Sequence, residues 1–250
     1  MKRIILASIA SLVFIGISSA QTVDEILAEY FKAIGQDKLL TTNNFITKGK
    51  IVQGQFEIPF TAYQKRPMSF RSEAEFQGMK IASGFDGTKG WSINPMMGST
   101  DPQPLTEEQI DRMKIQSDYD GPFYNYKEKG YTVELTGKEK VDDIDTYAIK
   151  LTRPNGDVIT TYLDAENYVP LKMKSKLKIQ GVEQEAETIF SNYKSVNDIL
   201  TAHSVETKMN GQTVMQMVLD EITYDTDVPD SIFEMPEVSA PADTTGSKQK

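Results

Sequence analysis

Residues 45–76, FITKGKIVQGQFEIPFTAYQKRPMSFRSEAEF, alternate apolar and polar side chains with a period of two. That period belongs to strands whose neighbouring side chains point to opposite faces. Phe45 to Gln53, Gln55 to Lys65 and Met68 to Phe76 read as three strands, with Gly54 and Arg66-Pro67 as the breaks between them. The same pattern continues outward. Met79 to Phe85 follows Gly78, Asp86-Gly87 is a hairpin signal, and Lys89 to Ile93 runs up to Asn94-Pro95. Beyond residue 130, Tyr131 to Leu135, Tyr147 to Leu151 and Val158 to Tyr162 alternate, the last two joined through Asn155-Gly156, which reads as a type I′ turn. Tyr168 to Ile179, Val182 to Tyr193, Leu200 to Met209 and Thr213 to Tyr224 complete a meander of about eleven antiparallel strands.

Three segments break this rhythm. Lys2-Arg3, the apolar run Ile4 to Ile17 and the small residues Ser18-Ser19-Ala20 have the pattern of a secretory signal peptide cut before Gln21. Val23, Ile26, Leu27, Tyr30, Phe31 and Ile34 then lie on one stripe of a helix, capped by Thr22 and Glu25 and stopped by Gly35. Met96 to Tyr126 forms a long insertion. Inside it Thr106 and Gln109 make a second capping box, and Ile110 and Met113 give a short helix from Thr106 to Gln116 its apolar face. The expected organisation is a leader over 1–20, one domain over 21–236 and a disordered tail over 237–250, which is rich in Ser, Pro, Asp and Thr and has no period.

Composition narrows the chemistry. The 250 residues include no cysteine and one histidine, with 36 acidic against 27 basic residues for a net charge of −9. Disulfides, thiol nucleophiles and cysteine metal sites are excluded, and the acidic excess argues against general nucleic-acid binding. Loss of Lys2 and Arg3 with the leader takes the charge to −11. With no cysteine after the cut, the mature chain is expected to be soluble in the periplasm and not lipid-anchored. His203 sits in a strand beside Ser204, so the two side chains face opposite ways and do not form a nucleophile pair. Asp142, Asp143 and Asp145 read as turn residues, as do Asp118 and Asp120 before Gly121-Pro122. Gly84 to Gly90 lacks the Gly-Lys-Ser/Thr of a phosphate loop.

Methionine is the more telling residue. Met96, Met97 and Met113 fall in the insertion, while Met215 and Met217 share a strand face with Leu219, and methionine adapts to irregular apolar partners. A long sheet with few helices must curl to cover its apolar face, and a curled sheet closed by a lid encloses a cavity. Burying an acyl chain of about 14 carbons there gains on the order of 10 kcal/mol gross, before the cost of ordering the chain. Such a protein needs no nucleophile, metal or cofactor, so a non-enzymatic role is expected.

The run Ala62-Tyr63-Gln64-Lys65-Arg66-Pro67-Met68-Ser69-Phe70-Arg71 resembles the Lys-Arg-Pro-x-x-Phe strand pair of periplasmic lipoprotein carriers of the LolA/LolB-like superfamily. Phe85-Asp86-Gly87-Thr88-Lys89-Gly90-Trp91-Ser92-Ile93-Asn94-Pro95 is similar to that family's Asp-Gly-Lys-x-x-Trp hairpin, in the same order and at the same spacing. Asp230-Ser231-Ile232-Phe233-Glu234-Met235-Pro236 resembles its closing Asp-x-x-Phe-x-x-Pro. The resemblance implies a mainly β fold: an incomplete (half) antiparallel barrel of about eleven strands wrapped around a lid of short helices over an apolar cavity. It implies a carrier holding the acyl chains of lipoproteins or lipids for outer membrane lipoprotein sorting, with a membrane donor or acceptor as partner. On this reading Phe70, Trp91, Met96, Met97, Ile110, Met113, Met215 and Met217 line the cavity and lid, and Arg66 matches the arginine that contacts the closed lid. The protein is expected to be a monomer. The insertion after Asn94 and the stretch from Gly137 to Asn210 are longer than in the shuttling carrier. The superfamily also holds domains of envelope-stress regulators, so a lipid sensor acting through a protein partner is the alternative, and a secreted carboxylate hydrolase a third reading.

Overall fold

In a computed structural model, which describes residues 21–179 and 182–237, the alternating segments pair into one open antiparallel sheet of 13 strands. In chain order these are β1 (Asn44–Gln53), β2 (Phe56–Lys65), β3 (Ser69–Phe76), β4 (Met79–Phe85), β5 (Gly90–Asn94), β6 (Ser99–Pro104), β7 (Thr132–Val141), β8 (Ile144–Thr152), β9 (Val158–Asp164), β10 (Pro170–Ile179), β11 (Val182–Val196), β12 (Ile199–Met209) and β13 (Gln212–Tyr224). The helices are α1 (Val23–Ile34), the single turn α2 (Gln36–Leu39) and α3 (Glu107–Gln116). The expected leader and residues 238–250 of the expected tail lie outside the described residues.

The sheet is two meanders that meet where β1 pairs with β13, leaving β6 at one edge and β7 at the other. The connection from β6 to β7 therefore has to cross the whole sheet, and α3 lies on that crossing. Tight turns set the hairpins. Gln77-Gly78, Asp142-Asp143, Asn197-Asp198 and Asn210-Gly211 each place two residues at positive φ between consecutive strands, the type I′ geometry that matches strand twist. Asn155-Gly156 differs from its expected type I′ turn. Only Gly156 has positive φ (89°), and Arg153 and Asp157 close a longer loop (2.9 Å), because Pro154 pre-sets a type I turn that ends on glycine.

All three helices pack on one face. α1 has the expected capping box, with Glu25 N–H donating to Thr22 Oγ1 (3.3 Å) and Thr22 N–H to the Glu25 carboxylate (2.8 Å). Gly35 ends it at φ 73°, where an added Cβ would stand 2.1 Å from the Asp198 carbonyl oxygen. Ile26 and Leu27 are buried against Val133, Ile149, Leu151 and Leu163, worth roughly 1.5–3 kcal/mol each. α1 also touches both β7 and β12, five places apart in the sheet. Flat strands at about 4.8 Å spacing would put those two some 24 Å apart, more than the roughly 18 Å length of this 12-residue helix. The sheet therefore curls around its helices as a half-barrel.

Register separates the faces. Phe45, Gln64, Phe70 and Phe85 form one row across β1 to β4. Phe45 packs on Tyr119 and Phe70 and Phe85 on Met113, so this row faces inward, toward the helical crossing. The next row, Arg71, Gly84 and Trp91, faces outward. Residues after β13 run back over that outer face as a strap. Asn44 donates to the Thr226 carbonyl (3.0 Å), Lys65 to Val228 (2.7 Å), Arg71 to Ile232, and the Trp91 indole to Phe233 (2.9 Å). No helix among the described residues is long and apolar enough to cross a membrane.

Candidate functional site

The segment crossing the inner face is fastened at its root and lightly seated at its helix. Ser117 to Gly130, which follows α3, is tied to the end of α2 by Arg66. The guanidinium Nε donates to the Thr42 carbonyl (2.7 Å) and Nη2 to the Leu39 carbonyl (3.2 Å). Nη1 and Nη2 together grip both oxygens of Asp120 (2.9 and 2.6 Å), and the guanidinium carbon lies 4.3 Å from the centre of the Tyr119 ring. This planar, five-donor geometry is one that only arginine supplies. The Asp120 hydrogen bonds raise the guanidinium pKa above its ordinary value. Burial pushes the Tyr119 phenol up to about 12, and its hydroxyl shares a 2.8 Å hydrogen bond with Thr42. Gln36 adds a bond to the Asp120 carbonyl (3.2 Å), and Lys129 holds Asp118 (2.6 Å). Burial raises the Asp118 carboxyl above its usual range, with Lys129 opposing.

α3 itself rests on the sheet through Met113, Ile110 and the preceding Leu105, which pack on Phe70 and Phe85. It approaches the strands less closely than α1 does. The sheet beneath it is floored by a row of small side chains, Ala62, Ser72, Ser83 and Ser92, aligned across four strands, with the Ser72 and Ser83 hydroxyls bonded at 3.0 Å. Small floor residues leave space. An inner cleft of about 400 Å3 lies between that floor and α3, bordered by Ile81, Met97, Leu105 and Met113. A second cleft of about 510 Å3 opens at the rim, bordered by Trp91, Leu105, Ile110 and Met235. Both volumes fall in the range of about 300–1,000 Å3 seen for small-molecule sites.

The expected site residues divide among these places. Phe70 and Met113 meet in one buried cluster with Ile110 against it, and Met113 borders the inner cleft. Trp91 lies on the opposite face of the sheet from Phe70. The Gly84–Trp91 register turns it outward, away from Phe70, and it is Gly90 that faces the lid. At 1% exposure it is buried under the strap, reaching the rim cleft from the outer side. Met96 and Met97 are 60% and 83% exposed, because a short 3-10 turn at Pro95–Met97 lifts them off the sheet; Met97 alone borders a cleft. Met217 faces inward but packs on Phe60, Leu219 and Ile222, a cluster joined to the lid cluster only through Ala62. Met215, opposite Thr207, lies further along the same strand. The structure thus separates Met215 and Met217 from the lid.

Asp120 and Leu105 are the residues that sequence reasoning passed over. Asp120 read as a turn residue, yet it is the carboxylate that answers Arg66. The remaining candidates for chemistry make local structural contacts. Asp142 and Asp143 form a turn and Asp145 pairs with Lys140 (3.2 Å). His203 is buried, with Nδ1 3.0 Å from the Thr201 carbonyl oxygen, while Ser204 accepts from Gln216 (2.9 Å). Among the described residues no three acidic or histidine side chains converge as metal ligands.

No family model and no curated protein matches the sequence. Solved structures share the architecture. A LolA superfamily protein from Nitrosomonas europaea is 16% identical with a TM-score of 0.57, over 86% of this chain and 98% of its own. A DUF1329 family protein from Desulfovibrio piger is 16% identical with a TM-score of 0.56, over 84% and 97%. A domain assigned to outer membrane lipoprotein sorting from Vibrio parahaemolyticus is 14% identical with a TM-score of 0.57, over 84% and 94%. The fold is the LolA-like half-barrel with a helical lid.

Proposed function

We propose that this protein is an exported periplasmic carrier that shelters an acyl chain of a lipoprotein or lipid between its curled sheet and its lid, receiving it from one membrane-associated partner and delivering it to another. The observation that carries this reading is the build of the lid: a helix seated by Leu105, Ile110 and Met113 over a floor of small residues, with its root latched by Arg66. Such a lid can lift from the sheet without unfolding it. The likeness in fold to a lipoprotein-sorting domain supports the same reading. Transfer of this kind breaks no covalent bond, and the protein acts without a nucleophile, metal or cofactor. Protein purified from an envelope fraction and extracted with organic solvent is expected to yield a stoichiometric acylated species by mass spectrometry. An empty extract, together with failure of the purified protein to bind any acyl probe, overturns the proposal.

A further inference from the structure

Leu105 borders both clefts. Its Cδ1 leans on Gly90 so closely that a Cβ there would stand 2.6 Å away. The partition between the rim cleft and the inner cleft is thus one leucine side chain wide, lying on Gly90 at the edge of the Phe70, Phe85 and Met113 cluster. The two spaces follow one another along a path from the rim to beneath α3, with that side chain between them. The far wall of the rim cleft is the strap, where Met235 is 51% exposed although apolar. At the inner end, Met97 is the matching exposed methionine. An adaptable apolar side chain therefore borders the path at each end. The mouth at the rim carries two carboxylates, Asp86 and Glu234, against one ammonium, Lys89.

We infer that the rim cleft between α3 and the strap is the port through which one unbranched acyl chain enters, passing Leu105, and that the chain arrives joined to an uncharged ester or amide head. This rests on the carrier reading. A passage one side chain wide admits a single unbranched chain, and the acidic mouth repels a free carboxylate while tolerating a neutral linkage. Trp91, the only tryptophan in the chain, borders the port and not the inner cleft, so it reports on this path alone.

The test uses the mature protein with 1-(2-bromostearoyl)glycerol and with 2-bromostearate, whose bromine sits beside the head and need not pass Leu105, since bromine quenches indole fluorescence on contact. Binding is followed by calorimetry and by Trp91 emission. The expected result is saturable quenching by the acylglycerol at the calorimetric midpoint, weaker binding of the free acid, and a rise in the midpoint of about tenfold in Met235→Glu. Met235 is half exposed, so that variant is expected to fold, and Met235→Leu is expected to restore the midpoint. Calorimetric binding without quenching, or an unchanged midpoint in Met235→Glu, overturns the port and leaves the carrier reading standing. Equal binding of the free acid overturns the assignment of the head. No binding of either probe removes both the port and the carrier reading.

Discussion

Arg66 joins three pieces of chain that are far apart in sequence: the end of α2, the turn before β3 and the segment after α3. Arg66→Leu removes every one of these bonds while keeping the apolar stem. It leaves Asp120 and two carbonyls without their donor, at a cost of about 1–3 kcal/mol in urea denaturation. Acyl-probe release is expected to accelerate in the same variant. Arg66→Lys should rescue little, since one ammonium cannot grip a carboxylate at two points and two carbonyls together. Release kinetics identical to the parent would remove the latch role. Asp164 offers a separate test at the same scale. Burial draws its carboxyl pKa upward, but donors from the Asn167 and Glu166 backbones and the Asn167 side chain outweigh it, and the net pKa is lowered. A lowered folded-state pKa means its stabilisation is present above the ordinary carboxyl value near 4 and is lost as pH falls through the folded-state value. Asp164→Asn is therefore expected to cost about 1 kcal/mol at pH 7 and progressively less toward pH 2, measured by denaturant melts at each pH. An equal cost at both ends would contradict the sign. Arg66 was legible because its local motif is short and contiguous. Asp120 was not, because its partner lies across the fold and an Asp before Gly-Pro already satisfies a turn.

Among the elements, α3 shows how far local signals reach. Thr106 and Gln109 specify its start from sequence alone, and the observed helix begins at the next residue, with Thr106 N–H donating to Gln109 Oε1 at 2.8 Å. What it packs against was not written locally, since that depends on β6 and β7 lying at opposite edges of the sheet. A helix this short is marginal by itself, so its cap matters. Thr106→Ala is expected to cost about 1 kcal/mol in helix stability, speeding amide exchange in the last turn of α3 by about fivefold and leaving the β-sheet amides unchanged. Hydrogen exchange read by NMR or mass spectrometry checks this, and unaltered exchange in α3 would show that the lid is held by packing alone. Sequence alternation found the remaining strands but hid β6, whose Pro102 and Pro104 read as an irregular insertion. It also left the face of Trp91 open, since hydrophobicity identifies a buried residue without saying which of two covered faces buries it. Here both faces of β5 are covered, one by Leu105 and the other by the strap.

At the scale of the whole molecule, an open sheet has two edges and each must be kept from pairing with another chain. β7 manages this with the bulge at Leu135–Gly137 and the charges of Lys138, Glu139 and Lys140. β6 uses proline, and its placement follows from the ladder. Leu105 N–H bonds inward to the Gly90 carbonyl (2.9 Å). Alternation along the paired end of the strand then turns the backbone nitrogen of Pro104 outward and that of Gln103 inward, and Pro102 follows in the irregular stretch before Ser99 pairs with Asn94. The outward position at the paired end thus carries no N–H to offer a neighbour, and Pro102 withholds a second donor in the irregular stretch beside it. Pro102→Thr combined with Pro104→Thr returns both donors on β-favouring residues, without touching a bond made inside the sheet. Self-association measured by sedimentation velocity is expected to rise with protein concentration in the double variant relative to the parent, and fluorescence of an amyloid dye to rise with it. If the double variant sediments as the parent does at every concentration, the prolines are not what guards this edge. The protection would then lie with the rim cleft and the strap beside it, which flank β6 where a neighbouring strand would have to dock.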